Sequence, residues 1–159
     1  MNRPPIPSPP YAGGCLCGRV RYRLNARLLG VNACYCDDCK KLTGGTHLLM
    51  LLAARDGFAH EQGEVERYRK RADSGREIDI VRCESCGVRL WHEPLSSPNF
   101  IFVAAGTLDD SRWVVPTSHI WIEKASPHFV MDEDALKVVG QPKDRQVLFD
   151  AFTAIYGIH

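Results

Sequence analysis

Seven cysteines fall into three tight groups: Cys15-x-Cys17, Cys34-x-Cys36-x-x-Cys39 and Cys83-x-x-Cys86. Thiolates at such spacings are metal ligands, and zinc is the ion they most often hold. A Cys-x-x-Cys knuckle turns two sulfurs toward one point, while in an extended Cys-x-Cys both side chains leave the same face. Gly14 and Gly18 bracket the first pair and Gly87 follows the third group, freeing the backbone to turn around an ion. Other readings compete. Free cysteines are ordinary core residues and a Cys-x-x-Cys can be a redox pair, but a thioredoxin-like site calls for an α/β pattern this chain lacks. Iron can also occupy a thiolate site.

Seven ligands divide as four plus three, and the two counts differ in consequence. Four thiolates close a tetrahedron and staple distant segments together. Three leave a fourth position for water or substrate, as at a catalytic zinc, unless a carboxylate or one of His47, His60, His92, His119 and His128 fills it. Three anionic ligands also outweigh the dipositive ion and lower its Lewis acidity, so the open position suits a soft sulfur better than hydroxide. Spacing alone leaves open which groups share an ion.

The elements that must carry these groups read as mainly β. In Gly18–Leu24, Val20, Tyr22 and Leu24 alternate with Arg19, Arg21 and Arg23, giving one apolar and one basic face. Similar runs occur at Thr46–Ala53, Val65–Arg71, Glu77–Cys83, Phe100–Ala105 and His119–Glu123, separated by Gly, Asp, Ser and Pro. At the C-terminus Val147, Leu148, Ala151, Phe152 and Ile155 recur at helical spacing, with Gly157 placed to end one amphipathic helix packed on the sheet. The expectation is a zinc-stapled β-sandwich or tent of short strands, one domain over residues 13–159. Residues 1–12, with five prolines, read as a disordered tail without the apolar stretch of a secretory signal.

The chain of 159 residues carries 20 Lys and Arg against 19 Asp and Glu. Nothing in that balance points to nucleic acid, and no Lys/Arg-rich block with interleaved aromatics is present. Seven thiolates on two divalent ions turn the formal +1 negative. No apolar run is long enough to span a bilayer. An odd number of cysteines with no export signal indicates a reducing compartment, the cytoplasm.

The sequence resembles the family of glutathione-dependent formaldehyde-activating enzymes, which includes centromere protein V. The resemblance lies in Gly13-Gly14-Cys15-Leu16-Cys17-Gly18 with Val20-Arg21-Tyr22, in Cys34-Tyr35-Cys36-Asp37-Asp38-Cys39 with Thr43-Gly44, and in Cys83-Glu84-Ser85-Cys86-Gly87. Gly106-Thr107-Leu108-Asp109-Asp110 and Pro116-x-x-His119-Ile120-Trp121 are similar to downstream signatures of the family, so the likeness runs from about Gly13 to Phe129. It implies a structural zinc on Cys15, Cys17, Cys83 and Cys86 and a second zinc on Cys34, Cys36 and Cys39, two ions per chain. It further implies a carbon–sulfur lyase resembling S-(hydroxymethyl)glutathione synthase, with glutathione and formaldehyde as small-molecule partners. The chain departs from the pattern at Tyr35, often histidine in relatives, and at Lys124-Ala125-Ser126-Pro127-His128-Phe129, where many relatives have tryptophan.

Arg19, Arg21, Arg23, Lys40 and Lys41 are candidates to meet the carboxylates of a peptide thiol, against the plainer reading of a solvated strand face. His119, Asp109 and Asp110 are candidates for acid–base work, and His92 a weaker one; turn formation and core hydrogen bonding explain them better, so none is assigned as catalytic. Two function classes follow: an enzyme joining a thiol and a small aldehyde, or a non-catalytic zinc module for a macromolecular partner. An exchangeable fourth ligand distinguishes them.

Overall fold

Leu48–Ala54 is an unbroken apolar heptapeptide, which a strand can use only if both of its faces are covered. In the computed structural model, which describes residues 3–72 and 75–157, it is β4 at the middle of an eight-stranded sheet. Its side chains alternate as strand geometry requires. Leu51 and Ala53 enter a large core with Val31, Val81, Trp91, Ile101 and Val103. Leu48, Met50 and Leu52 face a second cluster with Cys34, Ile120 and Leu148.

The strands are β1 Tyr11–Gly14, β2 Arg21–Leu24, β3 Leu28–Cys34, β4 Leu48–Ala54, β5 Phe58–Gln62, β6 Val65–Arg71, β7 Glu77–Cys83, β8 Arg89–Pro94, β9 Phe100–Ala104, β10 Ser118–Ile120 and β11 Leu136–Val138. Two helices join them, α1 Asp37–Thr43 and α2 Gln146–Tyr156. The large sheet runs β11-β10-β3-β4-β9-β8-β7-β6, and β1-β2-β5 form a second sheet. The fold is mainly β. Tyr22 and Leu24 from β2 and Phe58 from β5 bury against Trp91 and its neighbours, so the small sheet supplies one wall of the larger core.

Strands β6 and β7 coincide with the runs read from the sequence; the others shift in ways the backbone explains. Gly18 takes a left-handed φ of 77° to close the first cysteine turn, so β2 begins only at Arg21 although Val20, Tyr22 and Leu24 are all fully buried. The run expected at His119–Glu123 ends as a strand at Ile120. Trp121 there adopts a left-handed φ of 59° and sends the chain into a 3-10 turn over Ile122–Lys124.

The N-terminal segment differs from the expected disordered tail. Tyr11 and Ala12 belong to β1. Arg3 pairs with Asp134 at 2.8 Å and donates to the Pro116 carbonyl at 2.8 Å, Ile6 packs on the core, and the Tyr11 hydroxyl donates to the Pro7 carbonyl at 2.8 Å. Proline content misleads here because an extended segment with few N–H groups to satisfy can lie on a surface largely through side-chain contacts. In α2, Leu148 and Phe152 are buried as its apolar stripe requires, while Val147 faces solvent. Among the described residues no helix is long and apolar enough to cross a membrane.

Candidate metal centres and the cleft beside them

The seven cysteines gather into two groups of sulfurs, Cys15, Cys17, Cys83 and Cys86 in one and Cys34, Cys36 and Cys39 in the other, each within 4.8 Å of one another. No disulfide forms; all seven are free.

Tight turns build the first group. The Gly18 N–H bonds to the Cys15 carbonyl at 3.1 Å and the Gly87 N–H to the Cys83 carbonyl at 2.9 Å, and both glycines hold positive φ. These turns bring the β1–β2 connection against the β7–β8 hairpin, with Cys17 Sγ 3.4 Å from Cys15 Sγ and 3.8 Å from Cys83 Sγ. Four sulfurs around zinc at about 2.3 Å lie about 3.8 Å apart, so the donor set fits a tetrahedral thiolate ion.

The second group sits where β3 runs into α1. Cys34 ends the strand, Cys36 is the helix N-cap with its sulfur accepting the Cys39 N–H at 3.4 Å, and Cys39 lies one turn in. Asp37 and Asp38 favour the helix start, and Gly44 closes its end at a φ of 65°. Among the described residues no histidine or carboxylate joins these three sulfurs as a fourth ligand.

Neighbouring sulfurs shift protonation within both groups. Burial raises the Cys15 thiol, but the Val20 N–H and the neighbouring sulfurs outweigh it and bring Cys15 down to about 6. Hydrogen bonds from Cys34 and Cys39 hold Cys36 down at about 3, while the contact with Cys36, together with burial, pushes Cys34 up to about 12. The three-cysteine group thus favours the thiolate at Cys36, and a divalent cation would displace the protons of its neighbours. Both groups could hold zinc.

Beside the second group opens a cleft. Met50, Leu52, Phe102, Ile120 and Leu148 line it with Cys34, Cys36 and Cys39, and its polar groups include Lys70, His92 and Arg145. Lys70 is paired with Asp38. His92 is buried, and that burial, with the Arg89 charge, lowers it to about 3, so it is a neutral imidazole. Arg89 itself stands 3.4 Å from His92 Nε2 with its own Nε buried and unpartnered. Trp121 closes part of the wall, with Lys124 Nζ 5.1 Å above its ring. Left-handed backbone at so bulky a residue is strained, and such strain collects at functional sites.

The basic residues proposed from sequence lie elsewhere. Arg19 donates to Ser85 Oγ at 2.8 Å, Arg21 pairs with Asp109, Arg23 with Glu61 at 2.9 Å and Lys40 with Asp37 at 3.0 Å. Neither they nor Lys41 line the cleft. Asp110 is engaged by Arg112 at 2.9 Å. His119 is buried and 2.8 Å from the Tyr35 hydroxyl, its Nε2 without a partner. Tyr35 points away from the cysteines that flank it and packs with His47 and Phe129, ring centroids 5.4 and 5.2 Å away. Of the remaining histidines, His60 rests 5.3 Å from Trp91 and His128 bonds Ser126 at 2.8 Å. His92, weakest of the acid–base candidates in the sequence, is the one that reaches the cleft. Lys70, Arg89 and Arg145 escaped notice because no local pattern marks them.

No curated protein matches the chain. A Rhodobacter sphaeroides protein of known crystal structure is similar to it at 20% identity, over 62% of this chain and 87% of that one, with a TM-score of 0.49. Residues 10–124 match the family described as glutathione-dependent formaldehyde-activating enzyme. With that match extending over most of its length and through both cysteine groups, the chain belongs to the glutathione-dependent formaldehyde-activating enzyme family.

Proposed function

We propose that this chain joins a thiol, with glutathione as the leading candidate, to formaldehyde or another small aldehyde at the three-cysteine centre, acting as a carbon–sulfur lyase of the S-(hydroxymethyl)glutathione synthase type. The carrying observation is that Cys34, Cys36 and Cys39 stand in the wall of an apolar cleft with no fourth protein ligand among the described residues. In the reaction, sulfur bonds to the aldehyde carbon, the carbonyl electron pair moves to oxygen, and the thiol proton ends on that oxygen.

Zinc is the ion assigned to both groups, two per chain: the four-cysteine group as a structural clamp, the three-cysteine group as the reactive centre. Zinc bound at the latter supplies a soft open position that favours the thiolate form of an incoming thiol. The chain's own residues do the rest. Cys34, Cys36 and Cys39 hold the centre at the strand–helix junction. Met50, Leu52 and Phe102 keep the cleft dry, which strengthens charge interactions within it. The chain acts as one zinc-binding domain that takes in the N-terminal segment packed on it, and the free thiols suit a reducing compartment, the cytoplasm.

The test is NMR exchange spectroscopy on glutathione, formaldehyde and their adduct at equilibrium, with zinc-loaded protein and with Cys36→Ser. Faster exchange with the wild type alone places catalysis at the three-cysteine centre. Unchanged exchange with both proteins rules out glutathione-dependent activation by this chain and moves the reading to a binding module.

A further inference from the structure

Arg145 is the one cation of the cleft whose charge no carboxylate among the described residues answers. It precedes α2, beyond the 10–124 span matched to the family, yet it lines the same cleft as the three cysteines. Its guanidinium lies over the rings of Phe100 and Phe102, 5.3 and 5.1 Å from their centroids. Lys70, the other cation there, is already neutralised by Asp38. Burial, and to a lesser degree the nearby Arg76, lower Arg145 from its ordinary value. A guanidinium stays charged under such conditions, so a positive charge that no carboxylate among the described residues answers stands in a partly desolvated place. Contact with two rings holds the guanidinium at this wall of the cleft, and among the described residues no side chain accepts from it, so its donor fork suits a bidentate carboxylate.

We propose that Arg145 receives a carboxylate of the thiol substrate and so selects peptide-length anionic thiols for this centre. The proposal rests on the reading of the cleft as a thiol site. Register sets the scale: Cys34 lies opposite Leu48 and Phe102 opposite Leu52. These positions are about 13 Å apart along β4 at roughly 3.3 Å per residue. In glutathione the sulfur sits on the middle residue, eight bonds from the γ-glutamyl carboxyl carbon, a reach of about 10 Å when extended, and the cysteine and arginine side chains close the rest. A carboxylate remote from the sulfur can therefore reach Arg145 while the sulfur is at the cysteines; the carboxylate of free cysteine, three bonds from its sulfur, cannot.

The test is calorimetric titration of zinc-loaded wild type, Arg145→Gln and Arg145→Lys with glutathione, with glutathione whose two carboxylates are esterified, and with free cysteine. Wild type binds glutathione at least about tenfold more tightly than the diester, a difference of about 1.4 kcal/mol. Arg145→Gln removes that preference by weakening glutathione alone, Arg145→Lys restores part of it, and cysteine binding is unaffected by either change. A preference that survives Arg145→Gln, an equal loss for acid and ester, or no preference in the wild type overturns the assignment. Charge-selective binding without faster glutathione–formaldehyde exchange defeats the catalytic reading and leaves this one standing; faster exchange without charge selectivity does the reverse.

Discussion

At the scale of single residues, the two cysteine groups differ in what their loss costs. Cys86 helps close a four-sulfur group between two sheets, so Cys86→Ser should abolish the high-temperature unfolding transition, with a loss of several kcal/mol typical of a broken structural zinc site. Cys36 is also a helix N-cap, and serine is among the best N-caps, so Cys36→Ser should keep α1 and the melting temperature while ending turnover. Thermal melts of the two variants check this, and the opposite ranking refutes the division of roles. His119 gives a pH prediction. Burial, the largest cause, holds it down at about 4, so below its ordinary value of 6.5 the unfolded chain takes up a proton that the folded chain refuses. Stability therefore falls as pH drops from 6.5 to 4, at up to about 1.4 kcal/mol per pH unit, and His119→Gln should flatten that limb of a denaturation series. The cysteines were legible because their spacing is local. His92 and Arg145 were not, since only the pairing of β3, β4, β9 and β8 brings the first to the cleft and only the packing of α2 on β3 brings the second.

At the scale of elements, legibility followed local pattern rather than burial: the mostly exposed β6 could be read from sequence, and the largely buried β3 could not. β7 shows as a strand because its β-branched residues Ile78, Ile80 and Val81 fall in a short run interleaved with charged ones, and its centre is buried. α1 left no apolar stripe to find, since none of its residues is buried, although Asp37 and Asp38 at its start and Gly44 past its end are helix signals. β3 escaped because Gly30 and Asn32 interrupt its pattern; both are tolerated at the sheet centre, Asn32 by accepting a hydrogen bond from Ser118 Oγ at 2.5 Å. The turn after β10 carries a prediction of its own. Trp121→Gly removes the cost of left-handed backbone, about 1 kcal/mol, and with it part of the cleft wall. The expected variant melts no lower than the wild type and has a raised KM for the thiol; a clear drop in melting temperature argues that the ring packs as core rather than as wall.

At the scale of the whole molecule, the sheet order is what no periodicity could supply. β10 lies parallel between β3 and β11, and the small sheet meets the large one at the cysteine clamp and through the Tyr22, Phe58 and Trp91 packing. Chelating the metal should therefore loosen β1, β2 and β5 first, while β3, β4 and β9, buried between two clusters, hold. Amide hydrogen exchange before and after chelation tests this, with exchange in the small sheet rising at least about tenfold as the free energy of local opening falls by ~1.4 kcal/mol. Uniform acceleration would mean a single cooperative collapse instead. The assembly of all seven cysteines into two groups has one more consequence. Aldehydes alkylate accessible thiolates, so a protein that works on an aldehyde is exposed to its own reagent. Zinc on both groups would leave none of the seven sulfurs as a free thiolate for that side reaction, so the ion of the proposed centre would also limit attack on the chain by what it processes.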